Sequence, residues 1–154
     1  MKTVRCLLLL VLTCAPLARA DSLTLKIGAA AVRAEVAATS EAREHGLMQR
    51  KTLCADCGML FVFSDAKRYG FWMKDTPLPL SIAFIARDGR VVNIDEMQAY
   101  SLEPHFAQGD ILYALEMNRG WFAAHGVKPG DTVEGVRQEA PVRAPTAADQ
   151  GRTH

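Results

Sequence analysis

The chain has 154 residues, with 18 Lys and Arg against 17 Asp and Glu, a formal net charge of +1. That balance excludes the broad basic footprint on which nonspecific nucleic-acid binding depends. Apolar residues at 49% and charged residues at 23% describe a chain that folds around a core, and the length suits one domain.

Lys2 and Arg5 precede an apolar run from Leu7 to Leu12. Pro16 breaks the run, and Ala18-Arg19-Ala20 supplies a small-x-small cleavage pattern. Residues 1–20 therefore read as a secretory signal peptide, too short to span a bilayer and cut after Ala20. Lipidation at Cys14 is disfavoured, because Thr13 stands where a smaller residue is wanted. Lys2, Arg5 and Arg19 leave with the leader, so 15 basic residues face 17 acidic ones, a net −2. Cys6 and Cys14 leave as well. Cys54 and Cys57 remain, and they would reach an oxidising compartment, periplasmic or extracellular, where thiols pair. No later stretch has 18 consecutive apolar residues, so the mature protein is not expected to cross a membrane. Residues 138–154 lack apolar periodicity and read as a disordered tail. The folded unit is then residues 22–137.

Within it, period-2 alternation dominates. Leu23, Leu25 and Ile27 form one alternating set, and Val32, Ala34, Val36 and Ala38 form another after Gly28. Thr39 or Ser40 can cap a helix running to His45, with Glu41 in the first turn and Gly46 as the stop. Gly58 to Phe63 is an apolar run of strand length, and alternation through Phe71–Lys74 suggests another strand. Segments 81–86 and 90–97 flank Asp88-Gly89, which predicts a two-residue type I′ hairpin. Residues 98–110 read as a long loop of the kind that often carries function. Ile111 to Met117 is a further strand. Arg119 to His125 can form a second helix, ended by Gly126. Lys128-Pro129-Gly130-Asp131 predicts a type II turn, followed by a last strand over 131–136. The sum is a mainly β (β-rich α+β) single domain, a compact barrel or sandwich of about eight short strands with two short helices.

Several stretches form an ordered series of motifs. They are Gly46-Leu47-Met48-x-Arg50, Gly58-Met59-Leu60-Phe61-x-Phe63 and Phe71-Trp72-Met73-Lys74-Asp75-Thr76-x-x-Pro79-Leu80. Asp88-Gly89-Arg90-Val91, Leu115-Glu116-x-Asn118-x-Gly120 and Gly126-x-x-x-Gly130-Asp131 follow. In this order they resemble the domain of unknown function 192 family, also called uncharacterised protein family 0127, over roughly Val32 to Val136. The resemblance implies a compact β-rich domain, often exported, and assigns no activity. Two positions depart from the pattern: Asp75 stands where Asn is usual, and Ser81 where Asp is usual. If the two lie close in space, a site charge has moved by one step.

The chemical candidates are few. Cys54-Ala55-Asp56-Cys57 reads as a structural disulfide. A redox pair would sit at a helix N-terminus, whereas here Gly58 and a strand follow. A zinc site would need two more ligands, and only His45 and His105 are on offer without finger-like spacing. No metal site and no cofactor is assigned. Trp72 beside Lys74 offers an apolar platform with a cation, suited to a sugar, an aromatic ligand or an anion; the alternative is that Trp72 is core and Lys74 lies along it. Arg50 could pair with Glu116 or Asp75. Asp75 and Glu116 could form a glycosidase-like acid pair. Asp131 reads as a turn former, and the spread methionines as core. There is no nucleophile elbow, phosphate loop or zincin helix.

These residues favour a noncatalytic exported binding module over an enzyme. Its ligand is expected to be an envelope molecule or protein, held by Arg50, Trp72, Lys74, Asp75, Ser81, Glu116 and Asn118. An envelope-polymer hydrolase using Asp75 and Glu116 is the alternative, and a thiol- or metal-linked role of Cys54 and Cys57 the third. A monomer is expected, with no nucleic-acid partner.

Overall fold

A computed structural model of the protein describes residues 22–136. The expected leader (1–20) and tail (138–154) lie outside the described residues. The domain is a curled half-barrel: one seven-stranded sheet, a two-stranded ribbon and two short helices.

The alternating segments fold as read. β1 (Ser22–Ile27) and β2 (Ala30–Ala37) pair antiparallel across the turn at Gly28, and Leu25, Ile27, Val32 and Ala34 are buried. Helix α1 (Ser40–His45) follows, with the Thr39 hydroxyl accepting from the Ala42 N–H and Gly46 closing the end. β3 (Cys57–Lys67) runs longer than the apolar run suggested and lies parallel to β2. A parallel neighbour needs a crossover, and residues 38–56, with α1 and the cysteine turn, provide it.

β4 (Gly70–Phe71) is only two residues long. The strand read through Phe71–Lys74 gives way to a turn, closed by the Thr76 N–H donating to the Met73 carbonyl at 3.1 Å, with Asp75 at φ +53°. β5 (Leu80–Ile85) and β6 (Val91–Met97) form the expected hairpin, but its turn is not type I′. The Gly89 N–H donates to the Ala86 carbonyl and Gly89 alone takes positive φ (+90°), which is a type I turn followed by a glycine bulge. The Asp88 carboxylate accepts from the Arg90 N–H at 3.0 Å, a local bond that favours this tighter geometry.

The predicted loop 98–110 contains β7 (His105–Phe106), which pairs with β4. β8 (Ile111–Asn118) is buried along nearly its whole length between β3 and β5. Helix α2 (Trp121–Ala124) is shorter than expected, because Gly120 at φ +79° begins it. The Lys128–Asp131 turn forms as predicted, with Gly130 at φ +97° and the Asp131 N–H donating to the Lys128 carbonyl. β9 (Val133–Glu134) adds to the outer edge of β1 only at Lys26 and Ile27.

The large sheet has the order β6-β5-β8-β3-β2-β1-β9. Its central strands are covered on both faces. Leu60, Val62, Ala83, Ile85 and Leu115 belong to one side. The other side carries Met59, Phe61, Ile82, Phe84 and Glu116.

Candidate functional site

Register places one carboxyl between two apolar neighbours in the middle of a row across the sheet. Glu35, Met59, Glu116, Ile82 and Asp95 stand opposite one another across β2, β3, β8, β5 and β6. Paired residues share a face, so Glu116 faces the same way as Phe61 and Phe63, which alternate with Met59 along β3. Above this row α1, the segment through Leu47 and Met48, and the β4 end with Phe71 and Trp72 enclose a cleft of about 250 Å³. Its walls are aromatic. The Phe61 and Phe71 rings meet edge to face at 5.0 Å, and Phe71 meets Phe84 at 5.8 Å. Phe63 stacks on Tyr69 at 3.6 Å.

Glu116 lines this cleft and is 4% exposed. Among the described residues, no hydrogen bond or ion pair reaches its carboxyl. Burial pushes its pKa up to about 8 from the ordinary 4.5, since a charge there has lost water without gaining a partner. At neutral pH the group is largely a neutral acid, able to donate one hydrogen bond and accept others.

The rim is polar and is supplied by α1. Arg43 is anchored: it donates to the Ala38 carbonyl at 2.6 Å, the Val62 carbonyl at 2.9 Å and the Ser40 hydroxyl at 3.3 Å. Its guanidinium lies 5.4 Å from the centre of the Phe63 ring. Sequence reasoning missed Arg43, Phe61, Phe63 and Phe71 as site residues. The motif glycine Gly46 gave the signal for them, because the helix it ends lies against Phe61: a Cβ on Gly46 would meet that ring at 3.3 Å.

Of the seven residues read as ligand-binding, Trp72 and Glu116 line the cleft and the other five do not. Trp72 is 56% exposed, so it is not the core residue that one reading made it. Lys74 is exposed, with its ammonium 6.0 Å from the Trp72 ring centre. Arg50 pairs with neither Glu116 nor Asp75. It forms a two-pronged ion pair with Glu35, two strands from Glu116 along the row, and that pair holds the Glu35 pKa below the usual range. Asn118 donates to the Cys54 carbonyl at 2.8 Å and so holds the cysteine turn to the end of β8.

Asp75 and Ser81 do not trade a charge. Ser81 is paired with Met117, next to Glu116 on β8, so its side chain leaves the opposite face of the sheet. There its hydroxyl donates to Glu96 at 2.7 Å and accepts from the Gly120 N–H at 2.7 Å. An Asp at this position offers the same acceptor to that N–H. Asp75 holds left-handed backbone, its carbonyl accepting from the Gln49 N–H at 2.8 Å. Asn and Asp are the side chains that tolerate such φ best, so the backbone here suits an Asn as well as the Asp present. Asp75→Asn should leave thermal stability within about 0.5 kcal/mol, while Asp75→Ala should cost about 1 kcal/mol in urea denaturation. An equal loss in both variants would point to the carboxylate instead.

Cys54 and Cys57 are joined, with Cα atoms 5.0 Å apart. Arg33 donates to Cys57 Sγ at 3.1 Å and lies 3.5 Å from Cys54 Sγ. Asp56, between them, accepts from Trp121 Nε1 at 3.0 Å. The Arg33 N–H also donates to the Asp56 carbonyl at 2.9 Å, so the turn is held to β2, β8 and α2 by bonds that do not use the sulfurs. The loop it closes is short, so Cys54→Ser with Cys57→Ser should cost no more than ~2 kcal/mol and leave the fold intact by circular dichroism. Loss of folding in the double variant would show a larger structural duty.

The comparisons agree with this fold. The sequence model of the DUF192 family, described as "Uncharacterized ACR", matches residues 23–135. A solved structure of a candidate transcription regulator from Sinorhizobium meliloti 1021 is 33% identical with a TM-score of 0.73, covering 76% of this chain and 95% of that one. A protein of unknown function from Novosphingobium aromaticivorans DSM 12444 is 36% identical, also with a TM-score of 0.73, covering 78% of this chain and 89% of that one. No functionally curated protein matches the chain.

Proposed function

As the chain belongs to the DUF192 family, whose description names no activity, we propose a function from the cleft: an exported, noncatalytic module that binds a small envelope ligand over Glu116. One observation carries the reading. Glu116 is 4% exposed as a residue, its carboxyl takes no partner among the described residues, and the little of it that reaches solvent opens into an aromatic cleft. Concave apolar walls with one convergent polar group are the usual make-up of a ligand site. The volume is below the range typical of drug-sized ligands, so the ligand is small.

The hydrolase reading loses its motivation. It required Asp75, Glu116, Arg50 and Lys74 to converge, and only Glu116 lines the cleft. The regulator description of the Sinorhizobium neighbour finds no support in this chain's charge, which is close to balanced. Export rests on the leader. N-terminal sequencing of protein recovered from the periplasm or medium should begin at Asp21.

Binding is tested by nuclear magnetic resonance of the folded domain against a fragment set of sugars, amines, carboxylates, nucleosides and short peptides. At least one class should shift the Trp72 indole and Phe61 signals. Trp72→Ala should weaken that ligand roughly tenfold, a loss of about 1.4 kcal/mol, with stability within about 0.5 kcal/mol of wild type. No shift at the cleft with any class would overturn the reading.

A thiol-linked role is the second reading, favoured by the guanidinium of Arg33 beside both sulfurs. A cation there stabilises a thiolate and so makes the disulfide easier to reduce. A reduction potential more negative than about −300 mV would place the bridge among structural disulfides and end this reading.

A further inference from the structure

We propose that the ligand of this cleft is an organic ammonium, its N–H groups donating to the Glu116 carboxylate and its apolar body lying between Phe61, Phe71 and Trp72. The inference rests on the binding reading above and adds the chemical class.

Three observations point to a cation. The least exposed charged residue of the lining is an acid without a partner among the described residues, and the same cleft is lined by Phe61, Phe63, Phe71 and Trp72, rings whose faces attract cations. The one basic guanidinium of the lining is committed to two backbone carbonyls and a hydroxyl, which leaves little of it to receive an anion. Glu44 on the same helix adds a further negative charge to the lining.

The charge balance follows directly. Without a cation beside it, burial favours the neutral, protonated form of Glu116 near pH 7. On binding, its proton passes to solvent and the carboxylate pairs with the ammonium, which keeps its own proton. The other ionisable groups around Glu116 are Arg43, Glu44 and His45 of α1, Glu35 of β2 with its Arg50 partner, and Asp95 of β6 with His105 at 3.4 Å. Glu35 and Asp95 lie two strands away on either side, each already paired. Proton release is therefore assigned to Glu116, and the test must show its dependence on that residue.

The probes are 2-phenylethylammonium and its neutral counterpart 2-phenylethanol, titrated calorimetrically into the folded domain at pH 6.5 in phosphate and in a second buffer of different ionisation enthalpy. The amine should bind at least tenfold tighter than the alcohol and release close to one proton per site. In Glu116→Gln the preference should fall to within twofold and the proton release should vanish. That variant replaces a buried acid by a neutral isostere, so it should fold, and its far-ultraviolet circular dichroism checks this. Lysine carrying acetyl and methylamide caps is the third probe. Tighter binding of capped lysine than of the free amine assigns the ammonium to a polypeptide, and the reverse to a small metabolite; both support the class. If alcohol and amine bind alike while shifting Trp72 and Phe61, the ammonium proposal falls and the binding reading survives. If neither they nor the fragment set perturb the cleft, both fall.

Discussion

Glu116→Gln should remove most of the pH dependence of stability between about pH 5 and pH 8. The folded-state pKa of Glu116 is raised to about 8 from 4.5, the value expected in the unfolded chain. Between those values the folded protein holds a proton that the unfolded chain has released. Stability then falls as pH rises, by about 1.4 kcal/mol per pH unit while the one-proton difference lasts. Across the window the loss is on the order of 4 kcal/mol, complete above pH 8 and absent below pH 4.5. Glutamine cannot ionise, so the variant should match the wild type near pH 5 and exceed it at pH 8. For a domain of this size the gain at pH 8 amounts to roughly 15 °C in melting temperature. Urea denaturation of both proteins at pH 5, 6.5 and 8 provides the measurement. Glu35, whose pKa is lowered by Arg50, acts below this window, where acid weakens its ion pair. The histidines are common to both proteins and cancel in the difference. Parallel pH profiles would show that Glu116 is already ionised, or solvated through the cleft.

Gly58→Val should be among the most damaging single changes at a described residue that does not itself line the cleft. Gly58 begins the long pairing of β3 with β8, opposite Met117. A Cβ there would stand 2.4 Å from the Glu116 carbonyl oxygen and 2.4 Å from Met117 Sδ. The first contact is with backbone of the central strand, which cannot step aside without opening the ladder. Overpacking of this kind costs about 1–3 kcal/mol where side chains can yield, and more where backbone must move. We expect a loss of at least 3 kcal/mol, or failure to accumulate as soluble protein. Gly58→Ala should already show much of it. A cost under 1 kcal/mol for the alanine variant would mean that the strands are less close than described.

Much of the architecture can be read from local pattern. β1, β2 and β5 each carry a side-chain alternation or apolar run that fits a strand with one or two buried faces. The Thr39 cap and the Lys128–Asp131 turn follow from residue types whose backbone preferences are strong. Cys54 and Cys57 are close enough in the chain that pairing needs no long-range knowledge. What local pattern lacks is lateral order. The parallel placement of β3 beside β2, and of β8 between β3 and β5, decides which residues share a row. Arg50 therefore meets Glu35, and Ser81 turns away from Glu116. The two-residue strands β4 and β7 are shorter than any periodicity can register. Trp72 also shows the limit: a large aromatic is usually packed, and this one stands half in solvent because the chain turns at Met73–Thr76 instead of continuing as a strand. Glu116 was visible as a motif residue, but its isolation was not. That depends on the neighbouring strands supplying only Met59 and Ile82 beside it.

The brevity of β9 bears on how this chain behaves in company. Among the described residues, β9 pairs with β1 only at Lys26 and Ile27; Ser22–Leu25 pair with β2 on one side, and on the other Gly135 lies against Thr24 and Leu25 without forming a ladder, which leaves the start of β1 as the least covered sheet edge. Such an edge can template a strand from a second molecule. The exposed charge of Lys26 at the paired end discourages register with a like chain, since two copies would bring like charges together. At high concentration, self-association should therefore begin at Ser22–Leu23 and ease when a lysine is placed at exposed Ser22.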